Sequence, residues 1–87
     1  MTAITKKQWG VYIVRCADDT LYTGITNNLE NRLAVHNKGT GAKYTKTRRP
    51  VTKLYWEICE DRSAASKREY AIKSLNRQAK LVLIKTG

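Results

Sequence analysis

Apolar and polar positions divide this chain into seven short elements. Residues 8–16 (QWGVYIVRC) form a β-branched and aromatic run, which predicts a strand, and residues 21–26 (LYTGIT) predict a second one. Between them the chain can turn in two ways. A two-residue loop, Asp18-Asp19, would place Tyr12 and Tyr22 on opposite faces of the sheet. A three-residue loop, Asp18-Asp19-Thr20, pairs Ala17 with Leu21 and places both tyrosines on one face, because side chains alternate along a strand. Such a loop needs a residue in the left-handed region, and Asp tolerates that conformation better than most. The expectation is therefore the three-residue loop.

Residues 27–39 (NNLENRLAVHNKG) have helical spacing. Asn27 is the expected N-cap with Glu30 three residues on, and Gly39 closes the end. Leu29 and Leu33 mark its buried stripe, and Arg32 and His36 lie beside that stripe, one turn apart. Residues 41–50 (GAKYTKTRRP) are a basic connection with room for one helical turn, ended by Pro50. Residues 51–60 (VTKLYWEICE) predict a third strand with Leu54, Trp56 and Ile58 on one face. Residues 63–76 predict a long helix started by Asp61 or Ser63. Its apolar side is Ala64, Ala65, Ile72 and Leu75, with Glu69 and Asn76 on one flank. Residues 77–87 predict a last short helix anchored by Leu81 and Ile84. The order β-β-α-(short α)-β-α-α predicts an α+β fold, a small three-stranded antiparallel sheet flanked by helices.

Composition narrows the function. The 87 residues suit one domain, 1–87, with a lean core, since a chain this small buries only about 60–65% of its unfolded surface. Seventeen Lys and Arg against seven Asp and Glu give a net charge of +10, which favours a polyanionic partner, nucleic acid before an acidic membrane. No apolar run approaches the ~20 residues of a membrane span. The start, MTAITKKQWG, has no apolar h-region, so no secretory leader is expected. Two cysteines and one histidine cannot supply a spaced zinc motif, and Cys16 and Cys59 read as small buried hydrophobes in a reducing, cytoplasmic setting.

Five polar residues fall on the sheet face or beside a helix's buried stripe: Tyr12, Tyr22, Arg32, His36 and Glu69. By residue type alone each has a plainer use. Tyrosine is common in strands, a helical Arg is commonly solvated, and Glu69 could pair with Lys73 four residues on.

Gly10-Val11-Tyr12 followed by Tyr22-Thr23-Gly24 resembles the signature of the GIY-YIG nucleases, and Arg32 and Glu69 follow in that family's order and approximate spacing. His36 falls where some members carry a histidine. With KYTKTRRP and the element order, the resemblance spans essentially the whole chain and is greatest to the small stand-alone bacterial members. It implies hydrolysis of phosphodiester bonds in DNA, including branched or damaged DNA of the kind met in repair, with one divalent ion, Mg²⁺ or Mn²⁺. Tyr12 would be the general base or orient the attacking water. Its free pKa of ~10 would be lowered by the basic surroundings and Arg32. Arg32 would stabilise charge on the phosphate, Tyr22 would hydrogen-bond it, His36 would assist proton transfer and Glu69 would hold the metal.

Gly10 and Gly24 would support close approach of backbone at the site. Lys43, Lys46, Arg48 and Arg49 would bind phosphates, with Tyr44 stacking on a base. The hairpin has DDT where relatives carry Asp-Gly. The family's asparagine about three turns after the glutamate corresponds to a position near Leu81, leaving Asn76 as the nearest substitute. The rival readings are a non-catalytic nucleic-acid-binding module and an RNA-binding or ribosome-associated protein. Either a nuclease or a module of this size could take a protein partner for targeting.

Overall fold

In a computed structural model, residues 8–86 are described. The reading of a missing leader falls on residues 1–7 and lies outside them. The order is β1 (Gly10–Arg15), β2 (Leu21–Thr26), α1 (Leu29–Lys38), α2 (Lys43–Lys46), β3 (Thr52–Ile58), α3 (Arg62–Lys73) and α4 (Arg77–Thr86). The sheet is antiparallel, in the order β2-β1-β3.

β1 is central, which explains its unbroken apolar run: both of its faces are covered. Val11 and Ile13 point to one side, where they meet Tyr55, Ala65 and Ile72 under α3 and α4. Tyr12, Val14 and Cys16 point to the other, against Val51, Leu29 and Leu33 under α1. The molecule is thus a sheet between two helical layers. No helix among the described residues is long and apolar enough to cross a membrane.

The hairpin loop has the expected three residues, one position earlier than expected. Cys16 N–H donates to Thr20 O at 2.8 Å, so the loop is Ala17-Asp18-Asp19. Asp19 is the residue at positive φ, 68°. The reason is steric: the last loop residue must be left-handed, Asp accepts that, and β-branched Thr20 does not. Sliding the loop by one residue changes the pairing by two, which leaves every side chain on its expected face.

Helix starts differ in detail. α1 is capped by Asn28 rather than Asn27, its side chain accepting from Asn31 N–H at 3.2 Å. Glu30 therefore lies in the first turn without closing a capping box. Gly39 ends the helix at φ 88° as expected. Asp61 caps α3 through Ala64 N–H at 2.8 Å, which decides between Asp61 and Ser63.

Three readings of buried faces are corrected. In β3 the pairing with β1 slips between Ile13 and Val14, so Leu54 falls at the irregularity. Tyr55 joins the core under α3, Trp56 lies on the α1 side, and Ile58 is 56% exposed. In α3 only Ala65 and Ile72 are buried, and Leu75 lies past the helix end, 37% exposed. In α4 the residues packed on the core are Leu83 and Ile84, while Leu81 is exposed.

Candidate active site

The pleat brings Tyr12 and Tyr22 together. Tyr22 pairs with Val14 and Tyr12 with Gly24, so the phenols are diagonal neighbours on the α1 side, with ring centroids 6.4 Å apart. Gly24 is what makes this possible: a Cβ there would fall on the Tyr12 hydroxyl and within 2.6 Å of its Cζ. Gly10 has the corresponding role beside the Trp56 ring, where a Cβ would lie 2.5 Å from the nearest ring carbon. Tyr12 is 1% exposed and has no space to retreat. Gly24→Ala is therefore expected to cost about 1–3 kcal/mol by overpacking, read as a lower denaturant midpoint with the slope unchanged.

α1 delivers Arg32 and His36 onto the Tyr12 hydroxyl, one turn apart along the same edge. Tyr12 Oη lies 2.8 Å from His36 Nε2, and Arg32 Nε–H donates to it at 3.4 Å. His36 is fully buried. Its other nitrogen, Nδ1, lies 2.7 Å from Thr45 Oγ1, on α2. Burial, and next the Arg32 charge, hold the His36 pKa below its ordinary 6.5. The imidazole is accordingly neutral at neutral pH.

The Tyr12 phenol shifts the opposite way from the sequence expectation. Burial pushes its pKa above the ordinary 10.0 and outweighs the Arg32 hydrogen bond and charge. A net charge of +10 spread over the surface does little for a phenolate on a side chain that is 1% exposed, whereas desolvation acts directly on it. Any proton transfer from Tyr12 must therefore go to a group in direct contact, and His36 is that group.

Tyr22 is partly exposed and wedged among rings. His36 meets it edge-on at 5.5 Å and Tyr44 stacks on it at 5.8 Å, with 19° between the planes. On α3, Glu69 lies close enough for its charge to act on the Tyr12 phenol. Lys73 Nζ lies 3.1 Å from Glu69 Oε2 and 5.9 Å from the Tyr22 ring centroid. The ion pair available from the sequence is thus formed.

The described residues hold no group of three or more His, Cys, Asp or Glu that could cage a metal. A single carboxylate fits Mg²⁺ or Mn²⁺ of the kind that keeps several waters and takes phosphate oxygens as further ligands. It does not fit a zinc site. Lys73 would have to yield its place on Glu69 to such an ion.

Asn76 is not part of this group. It is exposed, and its Oδ1 accepts from Ala79 N–H at 2.8 Å as the cap of α4.

The basic connection is also organised differently from expectation. Lys43 and Lys46 are exposed on α2. Arg48, however, pairs with Asp18 in the hairpin loop at 3.0 Å and donates to Tyr44 O at 2.8 Å. Its guanidinium lies 4.0 Å from the Tyr44 ring centroid. Arg49 donates to Lys46 O at 2.9 Å and to Asn37 O at 3.4 Å, tying α2 to α1. Tyr44 thus contacts both the Tyr22 ring and the Arg48 guanidinium while staying 37% exposed. Arg48 and Arg49 hold the loop that carries Thr45. Thr45 had no sequence signal, since it matters only through His36 on another element.

A comparison with known proteins fits this geometry. Residues 8–81 match the GIY-YIG catalytic domain. The chain is 59% identical over 80 residues to a UPF0213 protein of Desulfotalea psychrophila, covering 91% of this chain and 73% of that one. It is 58% identical over 74 residues to a UPF0213 protein of Staphylococcus haemolyticus, covering 85% and 90%. Among solved structures, a solution NMR structure of an E. faecalis protein superposes with a TM-score of 0.62 at 43% identity, covering 93% of this chain and 88% of that one. That of a UPF0213 protein from Bacillus halodurans gives 0.59 at 34%, covering 91% and 84%.

Proposed function

The chain belongs to the GIY-YIG catalytic domain family, and on that premise we propose that it is a divalent-metal-dependent nuclease that hydrolyses phosphodiester bonds in DNA. The observation that carries this reading is the buried Tyr12 hydroxyl, bracketed by His36 Nε2 at 2.8 Å and Arg32 Nε at 3.4 Å. A hydroxyl held between a neutral base and a permanent cation is suited to deprotonating water beside a phosphate.

In this reading Tyr12 takes a proton from the attacking water as its own moves to His36. Arg32 stabilises the oxyanion that develops on phosphorus, and the Tyr22 phenol hydrogen-bonds the scissile phosphate. Glu69 would hold the divalent ion, which when bound supplies Lewis-acid stabilisation at the phosphate and the leaving oxygen. Lys43 and Lys46 contact flanking phosphates, and Arg48 and Arg49 keep the connection in place beneath them. Residues 1–87 act as one cytoplasmic domain, with DNA as the partner rather than RNA, including branched or damaged DNA, and with a protein partner supplying targeting.

One observation favours a second reading, a binding module without turnover: Lys73 already neutralises Glu69 at 3.1 Å. Labelled duplex, single-stranded and branched DNA, and RNA, incubated with Mg²⁺ or Mn²⁺ and then with chelator, separate the two. Chelator-sensitive cleavage is expected, and binding with no cleavage under any divalent ion selects the module.

The same assay tests the pH limb. Only neutral His36 accepts a proton, and its pKa lies below 6.5. The rate should hold as pH falls through 6.5 and decline only at the lower, folded-state value. A decline centred above 6.5 removes His36 from the mechanism.

A further inference from the structure

The buried hydrogen bonds around His36 run in one direction, and they begin at a residue outside the reacting group. Thr45 is fully buried on the single turn α2. Its hydroxyl has one proton, and Oγ1 donates to Ala42 O at 3.0 Å. The lone pairs of Oγ1 face His36 Nδ1 at 2.7 Å. Two facing lone pairs would repel, so Nδ1 carries the hydrogen and Nε2 is a free acceptor. Nε2 then receives the Tyr12 proton at 2.8 Å, and the Tyr12 oxygen receives Arg32 Nε–H. Every donor has an acceptor.

The reverse arrangement, Thr45 donating to Nδ1 and Nε2–H donating to Tyr12, leaves the phenol proton unpartnered in a side chain that is 1% exposed. An unmet buried donor is costly. Gly41 shows how closely the chain is drawn in here: a Cβ on it would lie 2.6 Å from Nδ1.

We infer that Thr45 is a positioning residue that fixes the His36 tautomer and so makes Tyr12 able to lose its proton. The inference rests on the nuclease reading for its purpose, but not for its geometry. In the step it serves, the Tyr12 O–H bond breaks and the His36 Nε2–H bond forms. The resulting phenoxide oxygen takes a proton from water, the hydroxide attacks phosphorus, the P–O bond to the leaving oxygen breaks, and that oxygen takes a proton from solvent. Tyr12 ends neutral, and His36 later releases its proton to solvent. With Nε2–H already in place, the first of these events has no acceptor.

His36 is the chain's single histidine, so one imidazole pattern in a long-range ¹H–¹⁵N correlation spectrum of ¹⁵N-labelled protein reads its tautomer directly. At neutral pH the wild type is expected to show Nδ1 protonated and Nε2 bare. Thr45→Val, which removes the hydroxyl at nearly constant shape, should shift the population to Nε2–H, and Thr45→Ser should retain the Nδ1–H form. An Nε2–H wild type overturns the inference, as does an unchanged Nδ1–H pattern in folded Thr45→Val. If Thr45→Val does not fold, the wild-type and Thr45→Ser spectra decide. On any DNA the protein cuts, Thr45→Val should lower kcat roughly 10- to 100-fold with KM unchanged, Thr45→Ser restoring it. The spectra answer even if nothing is cut, so the tautomer inference and the nuclease reading fail separately.

Discussion

Glu69→Gln is expected to slow divalent-dependent cleavage severely and to leave the fold standing. The carboxylate is 22% exposed and its structural partner, Lys73, is 51% exposed. An ion pair at i,i+4 in such a setting contributes about 0–1 kcal/mol, so the melting temperature should move little. DNA affinity should hold or rise, because a negative charge near the phosphate is removed while Arg32, Lys43, Lys46 and Lys73 remain. Cleavage is different. Lewis-acid stabilisation is worth several kcal/mol, and every 1.36 kcal/mol is tenfold in rate, so a loss of roughly 10²- to 10³-fold is expected. Melting, affinity and cleavage should be measured on one preparation. A mutant that cuts as fast as its parent ends the assignment of Glu69 to the metal.

Tyr12→Phe carries the other large effect, and it should register twice. The ring stays, so the core on the α1 side keeps its packing. The hydroxyl goes, and the buried His36 Nε2 loses its partner at 2.8 Å. An orphaned buried acceptor costs about 1–3 kcal/mol, which for a domain of this size lowers the melting temperature by about 4–8 °C per kcal/mol. Activity should fall by roughly 10²- to 10⁴-fold, the usual contribution of a positioned proton-transfer group. A Tyr12 that only fills space would tolerate Phe with both quantities unchanged. Activity within a few-fold of the parent would remove Tyr12 from the chemistry, whatever happens to stability.

Some of the site was legible because local rules fix it. Tyr12 and Tyr22 share a face because the three-residue loop has the right parity, and the misplacement of that loop by one residue did no harm. Arg32 and His36 meet one hydroxyl because i and i+4 lie on the same edge of a helix. The contacts with no local rule were not legible. Whether Leu81 or Leu83 buries depends on how α4 settles on the sheet, and both fit a helical stripe. Arg48 and Arg49 read as free cations because nothing local shows that Asp18, thirty residues earlier, and Asn37, twelve earlier, will receive them. The phenol's pKa was misread for the same reason: net charge is countable in a sequence, whereas burial is a property of the packed site.

The sequence by itself determined the element order, the faces of β1 and β2, the helical edge bearing Arg32 and His36, and the family signature. The first three follow from periodicity over a few residues, and the signature rests on a resemblance to known proteins. Only the tertiary structure decided that Thr45 backs His36, that Arg48 closes on Asp18 and that Arg49 closes on Asn37. Each of those depends on which groups meet across elements, and the energy of a buried hydrogen bond or ion pair exists only once both partners are brought within contact.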